Sequence, residues 1–358
     1  MYSLQLHRDL LQQFNRLGLK ASKPHSVNLA LLCQALALSS SCHLATLALG
    51  VPVPGQRENL VQRLRRFLKD DALAVADCYE PWLRHLFAHW SGREVSLVMD
   101  RTDIEHRWSV LTLGVTFRHR LLPLAWEVLT FGGTSAAEQM KLLKRVQPHL
   151  PSAQPVRVVF FADCEFRAVP VQELCRSYGW HWQVGLKADI AFRAPGGGWQ
   201  ALRDLALQPG QRCYVSDVYL TRKHAFGPVQ LIGDWAPQQP HPRYWALDQP
   251  ADVQAWRRGR KRYWIEPTHR DWKSYGFDLE KSQLADAGRV RVLMLGINIT
   301  TLWMIHLGDN LLWNGRAAEL APRHKTDYSA FRLGRDYLQR CRTLGHRLPI
   351  GFTMRHTA

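Results

Sequence analysis

Glu266 stands between two cations, Arg262 and Lys273, at Arg-x3-Glu-x6-Lys spacing, in a stretch that also holds Tyr263, Trp264, Arg270 and Trp272. A carboxylate in that company is ill-suited to an apolar core. It suits a place where a metal ion and phosphates meet, the acid holding the metal and the cations taking phosphate. The same spacing also fits a solvated basic helix with an incidental glutamate, so the other acids decide. Two of them close apolar runs: Asp100 follows Val98 and Met99, and Asp163 follows Phe161 and Ala162. If the two runs are neighbouring strands, Asp100 and Asp163 face each other. Such a pair persists around a divalent cation or a shared proton. With Glu266 they make a three-carboxylate site able to hold two Mg²⁺ ions about 3.5–4 Å apart for phosphodiester displacement.

Two nearby acids compete for these roles. Asp103 shares neither the face nor the pleat of Asp100 in an unbroken strand. Glu165 shares the side of Asp163 only if the strand runs on, which a following helix opposes. No Ser-His-Asp or Cys-His arrangement and no Walker loop is present, so neither a covalent nucleophile nor an ATP-driven motor is indicated.

The elements that must position the acids follow from texture. Residues 1–90 read as a helical domain, with Arg63, Arg65, Arg66 and Lys69 on one helix beside Leu60, Leu64 and Phe67. Residues 95–100, 109–117 and 121–128 read as strands, 135–149 as a helix, 155–163 as a strand buried on both faces, 169–178 as a helix and 182–186 as a strand. That order predicts an α/β layered domain. Residues 189–250, broken by Gly and Pro, predict a β-rich insertion that also carries Trp235, Tyr244 and Trp245. Basic and aromatic side chains mixed in this way suit unpaired or distorted nucleic acid. Helix returns over 251–281, where Arg258, Arg262, Glu266 and Arg270 step by four, and Pro267 is expected to kink or restart it. The apolar run 290–307 contains Arg291, Asn298, Thr300, Thr301 and His306, which predicts a buried helix rather than a membrane span. A basic tail, 311–358, is expected to be helical over about 327–344.

Composition points to a polyanionic partner: 47 Lys+Arg against 30 Asp+Glu give a formal charge of +17. A hydrophobic content of 46% with 14 Trp excludes a disordered basic tail. Seven scattered cysteines without a C-x-x-C pair argue for reduced thiols, and residues 1–20 lack a signal-peptide core. A cytoplasmic, nucleoid-associated bacterial protein without membrane attachment is expected.

The pieces around Asp100, Asp163 and Arg262-x3-Glu266-x6-Lys273 resemble the three acidic motifs of DDE transposases, nearest the insertion-sequence-four family, over roughly residues 95–284. The resemblance implies a ribonuclease H-like mixed sheet, with 91–188 and 251–310 forming the catalytic domain around the insertion. It implies Asp100, Asp163 and Glu266 as catalytic metal ligands, with Mg²⁺ replaceable by Mn²⁺. Arg262 and Lys273 become the implied phosphate contacts, with Arg258, His269 and Trp272 in the same DNA-binding stretch. The family tyrosine falls on Gly259, so its contact is open, with Trp256 and Tyr263 as possible replacements. Trp235, Tyr244 and Trp245 stand as candidates to hold a flipped base. The activity implied is cut-and-paste transposition through a hairpin, by a homodimer acting on terminal inverted repeats and target DNA. An inactive end-binding inhibitor, or a nuclease on the same fold, is the alternative.

Overall fold

The computed structural model describes residues 2–151, 156–321 and 328–355. Helices α1 (Tyr2–Leu17), α2 (Lys23–Leu38), α3 (Leu44–Gly50), α4 (Arg57–Leu68) and α5 (Val75–Ala88) precede strands β1 (Glu94–Ile104), β2 (Trp108–Phe117) and β3 (Arg120–Thr130). Next come α6 (Ala136–Val146), β4 (Arg157–Ala162), α7 (Val169–Ser177) and β5 (His181–Leu186). Strands β6 (Ala191–Arg193), β7 (Gln200–Ala201), β8 (Arg212–Leu220), β9 (Phe226–Asp234) and β10 (Arg243–Leu247) follow. The chain then forms α8 (Val253–Gly259), a 3₁₀ turn (Arg260–Trp264), α9 (Ile265–Arg270) and a π turn (Asp271–Tyr275), and ends in α10 (Ala287–Trp313) and α11 (Ala330–Thr343).

All ten strands form one mixed sheet in the order β3-β2-β1-β4-β5-β10-β9-β8-β6-β7. The hairpins β1–β2 and β2–β3 are antiparallel, whereas β1–β4 and β4–β5 are parallel. Parallel neighbours need a crossover, and α6 and α7 supply the two here. Ser135 starts α6 with a capping box: its hydroxyl accepts from the Glu138 amide, and Glu138 accepts from the Ser135 amide. Strand β4, the most apolar of the set, lies between two parallel partners and is buried from Val158 to Ala162.

Neither the strands of 189–250 nor the N-terminal helices stand apart from the rest of the fold. The strands of 189–250 do not form a sheet of their own, because β10 pairs with β5 and carries the sheet onward through β9 and β8. The N-terminal helices likewise share their apolar core with the rest: one cluster runs from Leu6 and Leu32 through Met99 to Leu293 and Phe331. Helix α10 is the reason. Its 27 residues are long and apolar enough to cross a membrane, yet 89% of the most apolar window is buried inside the molecule, where α11, α2 and β3 are its main neighbours. Pro155, at the start of the expected fourth strand, lies outside the described residues, as do Arg323, Lys325 and Asp327 of the tail.

Candidate active site

One face of β1 organises the candidate site. Side chains alternate along a strand, so Glu94, Ser96, Val98 and Asp100 point to the same side. Lys261 donates to Glu94 Oε1 at 2.9 Å and to Ser96 Oγ at 3.0 Å. Val98 packs with Leu121, Val159, Phe161 and Ile265 in a small buried cluster. Asp100 comes next, 3.8 Å from the Arg262 guanidinium. The segment from Lys261 to Ile265 is thereby laid along β1, with an ion pair at one end and an apolar contact at the other. Thr268 completes the attachment, its hydroxyl accepting from the Leu121 amide at 2.9 Å.

Strand register places the second acid. The parallel ladder pairs Val98 with Phe161 and Met99 with Ala162, so Asp100 and Asp163 are the next residue on each strand. Asp163 leaves the sheet as the cap of a short 3₁₀ turn, its Oδ1 accepting from the Glu165 amide at 2.8 Å. That turn sits directly over Gly185 of β5, where an added Cβ would stand 2.9 Å from the Cys164 nitrogen and 3.1 Å from the Asp163 carbonyl carbon. A side chain at Gly185 would push the aspartate away.

The third acid arrives on α9. Ile265, fully buried, pins the first turn, and Glu266 points outward with its side chain about half exposed at 49%. Arg262 bridges the two sides, since it lies 3.3 Å from Glu266 Oε1 as well as beside Asp100. Burial pushes the Asp100 carboxyl up to about 7; Arg262 opposes this, and the like charges of Asp163 and Glu266 add to it. Among the described residues no three acids stand close enough to share one ion as they are arranged. The donor set nonetheless fits a hard divalent cation: oxygen ligands only, mutually repelling, with a guanidinium now serving as counter-charge.

The competing acids go elsewhere. Arg101, on the opposite face of β1 from Asp100, donates to Glu165 Oε2 and to Asp103 Oδ1, both at 2.9 Å, and to the Gly132 carbonyl at 2.6 Å. Glu165 also accepts from the Thr134 amide at 3.0 Å and hydroxyl at 2.9 Å. Asp103 and Glu165 therefore tie β1 to the β4 turn from behind.

The other sequence candidates divide. Lys273 is near the surface, 3.4 Å from Glu280. Trp272 and His269, expected among the DNA contacts, are instead core residues. Trp272 has no exposed surface and donates to Thr301 Oγ1 at 3.1 Å. His269 packs on it with ring centroids 5.4 Å apart, and burial, then Lys273, pulls its imidazole down to about 3, so it is neutral. Tyr244 is buried too and offers no ring to a base. Trp245 lies half-buried beneath α8, against Ile232, Leu247 and Ala255. Trp235 is half-buried and donates to the Gln239 carbonyl at 2.9 Å. Arg258 reaches Gln249 at 3.4 Å.

The backbone around Glu266 also differs from one kinked helix. The change of winding precedes Glu266, at the 3₁₀ turn, and Pro267 occupies the first turn of α9, where its missing N–H costs nothing. Gly259 has a φ of −57°, so its need is spatial rather than conformational: a Cβ there would stand 2.2 Å from Gln183 Nε2. Tyr263 lies between two guanidinia, with Arg262 4.3 Å above its ring and its hydroxyl accepting from Arg243 at 2.6 Å. Sequence reasoning missed Lys261, Thr268, Gln183 and Gly185. Only Gly185 carried a signal, as a glycine inside a strand.

The pattern of the transposase DDE domain matches residues 92–303 of this chain. Among solved structures it is similar to a piggyBac transposase in a synaptic complex with hairpin DNA, at 8% identity and a TM-score of 0.43, covering 94% of this chain and 78% of that one. No curated protein matches the sequence.

Proposed function

Since the match over residues 92–303 places this chain in the transposase DDE-domain family, and the chain is on that ground a transposase, we propose that Asp100, Asp163 and Glu266 are its catalytic carboxylates. The observation that supports this most is the β1–β4 register, which makes Asp100 and Asp163 neighbours, with Glu266 held to Asp100 through Arg262. The strand order 3-2-1-4-5 with β2 antiparallel supports a ribonuclease H-like reading of the first five strands.

The three acids would hold Mg²⁺, as two ions, with Mn²⁺ able to take their place. When bound, these supply Lewis-acid polarisation of the phosphoryl oxygens at the scissile bond. The chain's own residues do the positioning. Asp163 is fixed by its turn over Gly185, Asp100 by the ladder, and Glu266 by Ile265 and Thr268 beneath it. With the carboxylates neutralised, Arg262 would be free for a phosphate, and Lys273, further along the same segment, would meet the same backbone.

The reaction course that the motif resemblance suggests is attack of water at the element's end and then of the freed 3′-hydroxyl on the opposite strand. The resulting hairpin is reopened, and the 3′-hydroxyl then joins target DNA. Two copies of the chain would pair two terminal inverted repeats. The test is a plasmid carrying this gene with its native flanks, incubated with the protein, Mg²⁺ and a second plasmid. Breaks at inverted repeats together with joined products support transposition. Breaks without joining would assign a nuclease instead, and no breaks an end-binding protein only.

A further inference from the structure

Beside α9, at the β2–β3 end of the sheet, lies an open groove of about 760 Å³ that nothing above assigns. It forms where the end of α2, the β2–β3 hairpin, α9 and α11 meet, and its walls carry Arg120, Arg270, Arg332 and Arg335 against Asp271 and Asp336. The four cations are not equivalent. Arg120 is spent on Asp271 at 2.6 Å, and Arg335 is pinned to the backbone oxygens of Tyr275 and Ser39 at 2.6 and 3.2 Å. Arg270 is exposed and makes no hydrogen bond or ion pair among the described residues. Arg332 is 65% exposed, pairs with Asp336 at 3.6 Å and lies over the Tyr328 ring at 4.8 Å, so both of its contacts are on the surface of its own segment. At the lip Tyr275 is 70% exposed, an aromatic ring for which the fold offers no cover.

The wall is preformed. Phe331 is buried and meets Phe277 edge-on at 5.8 Å, which seats α11 against the segment leaving the π turn. Arg270 lies one helical turn beyond Glu266 on α9, so a strand lying over Glu266 continues toward it. Two exposed guanidinia and an exposed ring along an open trough suit an extended polyanion with bases, and not a small enclosed ligand.

We propose that this groove holds the DNA strand that runs past Glu266, with Arg270 and Arg332 on its phosphates and Tyr275 stacked on a base where the strands separate. The proposal rests on the transposase reading of the same site. It is tested on the full chain, without divalent metal, by titrating salt against binding of a fluorescent duplex of arbitrary sequence several helical turns long. Each lost phosphate contact flattens the log–log salt dependence by about 0.9, so the R270Q/R332Q double variant flattens it by about 1.8. Tyr275→Ala leaves the plain duplex unaffected and weakens a forked duplex by about tenfold. Arg84→Gln, on the distant α5, serves as the surface control, and thermal melting verifies that all variants fold. An unchanged slope in the double variant, with wild type binding normally, overturns the groove and leaves the catalytic reading standing. Failure of wild type to bind duplex overturns both. An altered oligomeric state with an unchanged slope would assign the groove to a second copy and overturn the proposal.

Discussion

Gln183 fills the space beside Gly259, so that a Cβ on Gly259 would stand 2.2 Å from Gln183 Nε2 and 2.9 Å from its Cδ. Gln183 is 5% exposed and has little room to retreat. Gly259→Ala should therefore cost about 1–3 kcal/mol in a urea melt. Truncating the obstruction should relieve it: in a double-mutant cycle with Gln183→Ala, the coupling is expected to reach about 1 kcal/mol or more. Additive effects would show that the contact does not fix the residue.

Arg101 holds Glu165 and Asp103 together behind the site. Replacing it with Met leaves two partly buried carboxylates without their shared cation, which should destabilise the fold by about 3 kcal/mol. Asp103→Asn, which keeps most of the hydrogen bonds, should cost well under half of that. Equal losses in chemical denaturation would count against Arg101 as the hub.

Trp272 and Lys273 are adjacent in sequence and opposite in consequence. Trp272 is fully buried, so Trp272→Ala should cost about 3–5 kcal/mol of stability while the folded protein keeps its DNA affinity. Lys273→Ala removes a loose pair with Glu280, worth at most about 1 kcal/mol, and should flatten the salt dependence of duplex binding by about 0.9. Measuring both quantities for both variants separates a core ring from a phosphate contact; a reversed pattern would refute the assignment.

The Asp100 carboxyl, raised to about 7, gives a signed pH dependence. Between the ordinary carboxylate range and about pH 7 the folded state binds the extra proton, so stability falls as pH rises through that window. Without metal, Asp100→Asn should gain on wild type by about 1.4 kcal/mol per pH unit across it and level off above. Below about pH 4 the advantage should vanish. Added Mg²⁺ should stabilise wild type selectively at pH 8. An advantage independent of pH would mean that burial, with Asp163 and Glu266 nearby, does not raise the Asp100 carboxyl.

Much of the sheet was legible because its central strands are apolar runs, two of which lead into an aspartate. The run over residues 95–100 did not show that β1 continues to Ile104, since Arg101 and Asp103 look like a loop until their partners Glu165 and Ser109 are known. The aspartates were placed by pattern, and their adjacency came from a register that no single strand encodes. Trp272 and His269 misled because the motif resemblance carries a role for a stretch and not the burial of each residue in it, and burial here depends on α10, distant in sequence. The insertion looked separate because Gly and Pro punctuate it, but pairing of β10 with β5 is a long-range event that local composition does not reveal.

The central claim, that Glu266 completes a metal-dependent cleavage site with Asp100 and Asp163, is tested most directly with a labelled duplex bearing the sequence that flanks this gene. Cleavage by wild type and by Glu266→Gln is compared with and without Mg²⁺, with binding followed in parallel. The account predicts Mg²⁺-dependent cleavage by wild type and a loss of several kcal/mol of transition-state stabilisation, roughly a hundredfold or more in rate, in a variant that still binds. Cleavage by Glu266→Gln at the wild-type rate would contradict it.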